Sequence, residues 1–502
     1  MLDKLSRKKK LLYNTVASVV AQAVTMICGF ILPRYFLVYF GSEVNGLVGS
    51  ITEFLGFITI CEFGVGAVVQ SAFYKPLATK NQYEIDCIFT SSKRFFRKIA
   101  YILIAYTAVL TVCYPFIVNG NFEFVYTATL ILAISVHFFI KYFFGATYKL
   151  LLQADQLGFI VMFLSCVPIT LNMLICILLM KLGAPVHIVK LFSGLIYMID
   201  PIVLHLVVMK RYHINTKVQY TEEPIKQKWN GFAQHLSAIV LANTDVTVLT
   251  LFSTLENVSV YGVYNLVCNG IRKTIVTVSN GVQSMLGNMI AKKEDAVLKQ
   301  TFDNLEWIMH TAVTLLFSIT GIMIVPFVSV YTRGVTDVQY IVPVFGAVLV
   351  LAQALRCIQL PYHLVIKAAG HYKQTQASSL IEVALNIIIS VLAVIKFDLV
   401  GVAIGTAVAV FYRACYLAWY ISKNIIDYDL KKYISHLVID TLSVAIMVLS
   451  TRFLMVAVHG WFNWFVLACK VGVICLVECI VLNLFFYRKN VMYVCRVIQR
   501  RK

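Results

Sequence analysis

Runs of about twenty predominantly apolar residues recur along the whole chain, and the short connections between them hold most of its charge. A bilayer core about 30 Å thick is crossed by about 20 residues of helix, so each run reads as one membrane span. Charge and turn residues delimit fourteen: 12–32, 44–67, 99–118, 123–144, 158–180, 187–209, 232–254, 258–282, 307–330, 341–362, 376–396, 399–420, 434–455 and 461–487. The spans at 44–67 and 258–282 are the weakest of the set. The expected fold is all-α, a polytopic membrane bundle of about 14 transmembrane helices.

Composition agrees with this reading and excludes others. Of 502 residues, 60% are hydrophobic and 13% charged, against about 25% charged in an ordinary soluble domain. The net charge of +19 would suit nucleic acid, yet no hydrophilic segment is long enough to build a basic domain or a groove of stacking aromatics, so a nucleic-acid partner is excluded. The 13 cysteines lie mostly within apolar runs and show neither a C-x-x-C nor a zinc spacing, so they read as small packing residues and no metal is expected.

Lys and Arg accumulate in cytoplasmic loops, and here they fall on alternate connections. One side takes Lys4 to Lys10, Lys75 to Lys98, Lys141 and Lys149, Lys210 to Lys228, Lys292 to Lys299, Lys367 and Lys373, Lys423 to Lys432, and the tail Arg488 to Lys502. The other side takes Arg34, Lys181, Lys190, Arg333, Lys396 and Arg452. Both termini are therefore expected in the cytoplasm. The first apolar run follows a basic start but is too long for a signal peptide and ends at no A-x-A site, so it is expected to remain as a helix. The outer connections Ser253–Asn257, Asn119–Glu123 and Lys396–Asp398 span only a few residues, which leaves no outer domain for the acid, base and substrate of a glycan-joining enzyme. There is no Gly-Lys dipeptide, so no phosphate-cradling P-loop. The chain reads as a transporter and not an enzyme, driven by an ion gradient, a substrate gradient or a separate motor.

The two halves look related. Gly41-Ser42-Glu43-Val44-Asn45-Gly46-Leu47-Val48 precedes the second span, and Glu256-Asn257-Val258-Ser259-Val260-Tyr261-Gly262-Val263-Tyr264 opens the eighth, a shift of about 216 residues. Six spans per half preserve orientation, giving a parallel repeat about an axis along the membrane normal and a central cavity. The expected organisation is a six-helix lobe over 1–209, a basic cytoplasmic linker over 210–231, a second six-helix lobe over 232–420, and helices 13 and 14 with a basic tail over 421–502.

Several segments, in order, carry a family resemblance: Leu32-Pro33-Arg34-Tyr35-Phe36, Gly41 to Leu47, Glu62-Phe63-Gly64-Val65-Gly66-Ala67, Tyr74-Lys75-Pro76-Leu77-Ala78, Leu151-Leu152-Gln153-Ala154-Asp155-Gln156, Asn243-Thr244-Asp245, Val260 to Asn265, and Gly401-Val402-Ala403-Ile404-Gly405-Thr406. Over about residues 10–425 the chain resembles the polysaccharide-export (Wzx-type) oligosaccharide flippases of the MATE-like (MOP) exporter superfamily. The resemblance implies two six-helix lobes in a V, two further helices, and transport of a lipid-linked oligosaccharide in a bacterial plasma membrane. It also implies partners among membrane lipids, the polysaccharide polymerase and the chain-length machinery. The last 75 or so residues carry no recognised motif.

Ionisable groups within a span need a partner or a wet cavity. Arg272 and Lys273, adjacent near mid-span, Arg356 and Arg413 are the candidates for a basic cavity that binds an anion, since guanidinium grips phosphate oxygens bidentately and ammonium serves as a point charge. Arg34, near an outer helix end, joins them because the resembling family has an arginine in that order. A diphosphate between glycan and polyprenol fits such a cavity; an exporter of organic cations, the alternative, would call for an acidic, aromatic one. Asp245 is the preferred coupling-ion residue, beside Asn243 and Thr244, with Glu53, Glu62, Asp200 and Glu382 as further carboxylates that pair with the cations or bind H⁺ or Na⁺. No other cofactor is expected. His205 and His310 read as hydrogen-bonded packing residues, Gly401 and Gly405 as a close helix contact, and Asn81–Lys98 as a basic amphipathic surface helix.

Overall fold

The computed structural model describes residues 7–62, 64–118, 122–225, 232–279, 282–454 and 458–492. Lys4, Lys226, Lys228, residues 119–121 of one outer turn, Phe63 of one family segment and the tail from Arg496 onward lie outside the described residues. Every regular element among the described residues is helical. In order they are α1 (Arg7–Gly56), α2 (Val65–Thr79), α3 (Gln82–Ile117), α4 (Phe124–Ile140), α5 (Ala146–Ala154), α6 (Gly158–Lys181), α7 (Val186–Ile196), α8 (Ile199–Tyr212), α9 (Phe232–Phe252), α10 (Leu255–Ser279), α11 (Val282–Ala291), α12 (Asp295–Tyr331), α13 (Pro343–Ile358), α14 (Leu360–Ala368), α15 (Gln376–Phe397), α16 (Leu399–Asn424), α17 (Leu430–Thr451) and α18 (Trp461–Phe486).

Among the described residues twelve helical segments are long and apolar enough to cross a membrane, against the fourteen spans expected. The first two expected spans form one continuous segment, Leu12–Glu62, in which Gly41 (φ 78°) is the non-helical residue. The eighth, α10, carries Glu256, Asn257, Asn265, Asn269, Arg272 and Lys273 within 25 residues and does not qualify. The second expected span is also not one α-helix. It passes into a 3₁₀ turn at Phe57–Glu62, and α2 starts afresh after Gly64 (φ 70°).

Internal contacts divide the chain into two compact units, one ending at Val258 and the other beginning at Ser259. In the first, Leu47, Ile51 and Leu55 of α1 repeat every fourth residue, one face of a helix. They bury against Ile99 and Leu103 of α3, Leu130 and Ile131 of α4, Cys176 of α6 and Val189 of α7. A second cluster gathers Val65, Val69 and Phe73 of α2, Ile88 and Phe89 of α3, and Leu151 of α5. The opposite faces are apolar too: on α3, Ile102, Val109 and Val112 are exposed while Leu103 and Leu110 are buried. A helix apolar all round suits lipid on one side and a packed core on the other.

α9 belongs to the first unit and lies along the second half of α1. Ser50 Oγ meets Thr250 Oγ1 at 2.6 Å and accepts from the Tyr114 hydroxyl at 2.6 Å, and His235 Nε2 lies 3.0 Å from the Thr59 carbonyl. At the end of this seam a β-carbon on Gly46 would stand 1.7 Å from the Leu255 carbonyl oxygen, so only glycine fits.

The stretch Asn81–Lys98 is not a surface helix. It opens the 36-residue α3, capped by Asn81 accepting from the Glu84 amide at 3.3 Å, and Ile85 to Ser92 are all buried. What covers them includes residues 213–225, which lie within the expected linker 210–231: Tyr83 donates to the Gln219 carbonyl at 3.3 Å, Ser91 donates to Glu223, and Ile225 is buried with Ile85 and Ile88. In the second unit α15 and α16 are the most intimately packed pair, because Gly401 and Gly405 bring α16 against the Ala393 and Ser390 backbone.

Candidate functional site

The second unit brings four of the ten expected site residues into one electrostatic group. Arg272, half-buried on α10, folds its guanidinium onto Asn269 one turn earlier, with Nε and Nη2 at 3.1 and 2.9 Å from the Asn269 Oδ1. Arg356, on α13, lies near enough to Arg272 for their like charges to interact. Arg356 also acts on Glu382 of α15, and Glu382 Oε2 stands 3.7 Å from Arg413 Nε. Two cations, Arg413 and Arg356, thus act on one carboxylate, and the half-buried Arg272 adjoins Arg356; an anion with paired oxygens is the complementary ligand for such guanidinium groups. Lys273, next to Arg272 on α10, is exposed and faces elsewhere, as a rotation of about 100° per helical residue requires.

Within that group Arg413 is committed. It is 1% exposed, and its Nη1 donates to the Thr375 carbonyl at 3.1 Å and to Ser378 Oγ. The pair with Glu382 locks α16 to α15, which is a packing role before it is a ligand role.

The remaining candidates lie in the first unit. Arg34 is half-buried on α1. Glu62 receives Lys141 Nζ at 3.0 Å and the Tyr142 hydroxyl at 2.6 Å, both from a π-helical turn at Lys141–Gly145, so this carboxylate ties the end of the 3₁₀ turn to α4. Asp200 receives Lys149 Nζ at 3.0 Å and ties α8 to α5. Glu53 of α1 and Asp245 of α9, by contrast, approach as like charges. Asp245 is 3% exposed beside Asn243, whose side-chain oxygen reaches the backbone at Gly56 across the seam. Glu53 itself is half-buried, and like charges brought this close favour a shared proton or a bound cation between them. His205 meets the Tyr148 hydroxyl at 2.9 Å, a packing contact.

Several of the resembling segments prove to be architectural. Leu151 to Gln156 closes α5 in a turn with Gln156 at φ 60°. Asp155 there accepts from Tyr212 at 2.6 Å and Arg211 at 3.3 Å, and Asn14 of α1 bonds both the Gln156 carbonyl (3.0 Å) and the Phe159 amide (2.6 Å). Tyr264 donates to the Tyr340 carbonyl at 3.0 Å and accepts from the Val342 amide at 3.0 Å, fixing the entry to α13.

Sequence reasoning missed other charged groups. Lys190, assigned to an outer connection, sits inside α7 with Nζ 4.1 Å from the Phe36 ring centroid, a cation–π contact. Glu306, just before the expected span 307–330, and Asp440, nearly two turns into the span 434–455, are also among those missed. Their signal was a spacing of four, Glu306 to His310 and His436 to Asp440, which puts each pair on one helix face.

No protein-family model matches the chain, and no curated protein matches it by sequence. Solved structures do. The lipid II flippase MurJ in an inward closed conformation superposes with a TM-score of 0.68 at 16% identity, covering 96% of this chain and 100% of that one. A multidrug resistance MATE family transporter of the MOP superfamily in its inward-facing conformation gives 0.65 at 14% identity, covering 80% and 94%. An outward-facing conformation gives 0.61 at 14% identity, covering 82% and 94%. The chain shares its all-helical fold with these solved structures.

Proposed function

We propose that this protein is an alternating-access flippase that carries a polyprenyl-diphosphate-linked oligosaccharide across a bacterial plasma membrane for surface polysaccharide assembly. The extent of the structural likeness carries the reading. The MurJ match leaves 4% of the chain uncovered. α17 and α18 have 22 and 26 residues, more than that remainder can hold, so the match extends into them. The MATE matches leave about a fifth of the chain uncovered. A likeness to a lipid II flippase that reaches into the last two helices supports a lipid-linked substrate over a small organic ion.

The charge distribution supports the same choice. Arg272 and Arg356 are the residues assigned to the diphosphate or to acidic sugars, with Lys273 and Arg34 as outlying cations and Arg413 holding the frame with Glu382. Glu53 and Asp245 are assigned to the coupling ion, H⁺ or Na⁺, while Glu62 and Asp200 are assigned to ion pairs. The polymerase and chain-length machinery are the expected partners, with both termini in the cytoplasm.

The test is complementation of a bacterium lacking its own surface-polysaccharide flippase, scoring surface glycan and accumulated lipid-linked intermediate. Glycan should return and the intermediate should clear, and Arg272→Ala with Arg356→Ala should abolish both at normal protein level. Persistence of the intermediate in hosts making several different repeat units, with efflux of organic ions in its place, would transfer the chain to the small-ion exporters.

A further inference from the structure

α17 packs on α12 through a buried polar cluster that the transport reading does not use. Glu306 and His310 stand one turn apart on α12, and His436 and Asp440 one turn apart on α17. The pairs cross between the helices. His310 Nδ1 lies 2.5 Å from Asp440 Oδ2, His436 Nε2 lies 3.8 Å from Glu306 Oε2, and the two imidazoles stack with centroids 4.8 Å apart and planes 22° from parallel. Glu306 Oε1 accepts from the hydroxyls of Tyr362, on α14, and Tyr428, between α16 and α17. Tyr487, just beyond α18, meets His436 Nδ1 at 2.6 Å.

The charge balance of this cluster is incomplete. With both carboxylates ionised and both imidazoles neutral it carries two negative charges, and Glu306 and His310 are 0% and 1% exposed. Around it α12 contributes Asp303, another acid, and α17 contributes Tyr433 and Lys432. Lys432, the cation of that surround, is half-exposed and already bound to Asp303 at 2.7 Å. From α18 come Cys479 and, past its end, Tyr487. The Tyr428 hydroxyl is held well above its ordinary range by burial and then by the Glu306 charge, so it stays a donor. Two buried atoms have no hydrogen-bond partner, Glu306 Oε2 and His310 Nε2. Beside Asp440 and Tyr487, the outer partners of the two imidazoles, lies a small cavity whose other walls include the polar Thr311, Ser443 and Asn483 and the apolar Ile439, Met447 and Leu482. Its polar wall groups can hold a water molecule.

We propose that these four residues form a proton-binding site, in which one proton taken from water is shared by the crossed His310–Asp440 and His436–Glu306 pairs. The loaded site holds α17 and, through Tyr487, the end of α18 against α12. Release returns the proton to water, and no other bond is made or broken. The site is independent of what the protein carries.

Infrared difference spectroscopy of the full chain in phosphatidylethanolamine–phosphatidylglycerol nanodiscs, titrated between pH 8 and pH 5, tests it. A protonated-carboxyl band should grow as the pH falls, lose intensity in Glu306→Gln or Asp440→Asn, and move its midpoint in His436→Gln. Absence of a titrating carboxyl band in the wild type, or a band unchanged in both carboxylate variants, would overturn the proposal. Should the variants fail to fold, hydrogen exchange on the wild type decides. Protection of residues 430–486, corrected for the intrinsic exchange rate, should rise about tenfold from pH 8 to pH 5 while α4 and α6 stay constant. Equal corrected protection at both values refutes it.

Discussion

Arg413 and Glu382 allow the packing role of a membrane-embedded ion pair to be separated from a ligand role. Replacing Arg413 with Met keeps most of the volume but strands the Glu382 carboxylate, 8% exposed, between α15 and α16. Glu382→Gln strands the guanidinium of a residue that is 1% exposed. Breaking a buried pair from either side costs about 3 kcal/mol or more. The double variant leaves neither charge behind and loses chiefly the 3.1 Å hydrogen bond to the Thr375 carbonyl, worth about 1 kcal/mol. It should therefore be more stable than either single variant. Unfolding of purified protein in mixed micelles measures this, read beside glycan export in the complementation host. Recovery of both stability and export in the double variant assigns the pair to packing, and recovery of stability alone assigns Arg413 to the substrate. A double variant as unstable as the sum of the singles, about 6 kcal/mol, would refute the reasoning altogether.

Gly405→Ala should cost about 2 kcal/mol through overpacking, because its β-carbon would stand 2.1 Å from Ser390 Oγ and 2.6 Å from the Ser390 amide nitrogen. Gly472→Ala, with open space around it, is the control, and a thermal unfolding midpoint that falls for the first variant and holds for the second is the expected pattern. Asp155→Asn should cost about 1.5 kcal/mol by weakening the bonds from Tyr212 and Arg211 and the 3.7 Å ion pair with Lys10, which a lowered unfolding midpoint and faster proteolysis near Lys10 would report.

Helix content and most span positions were legible in the sequence because lipid imposes a length on every apolar run. Hydropathy was a poor guide where a helix is polar or bent. α10 was among the weakest spans for the reason it matters, the cluster of polar groups that includes Arg272. The run across 44–67 hid a 3₁₀ turn whose cause, the bond network of Glu62 with Lys141 and Tyr142, lies about 80 residues away in sequence. The inward-facing cations were recognisable as intramembrane charges, but no local pattern tells that Glu382 belongs to Arg413 and that Glu53 meets Asp245. The histidine cluster was legible in principle from its two spacings of four. It went unread because Glu306 lies at an expected span end, where a charge ordinarily needs no explanation, and because nothing local in the sequence says that α12 and α17 lie side by side.

The segment from Leu12 to Glu62 contains one non-helical residue, Gly41. Most membrane spans are joined by tethers that absorb displacement, so neighbouring helices can shift with little effect on each other. A junction of one residue has two dihedral angles and no slack. The stretch beyond Gly41 is the one carrying Gly46, Ser50 and Glu53 along α9, so the angle set at this one glycine decides how the seam where the two carboxylates meet is presented to the N-terminal helix.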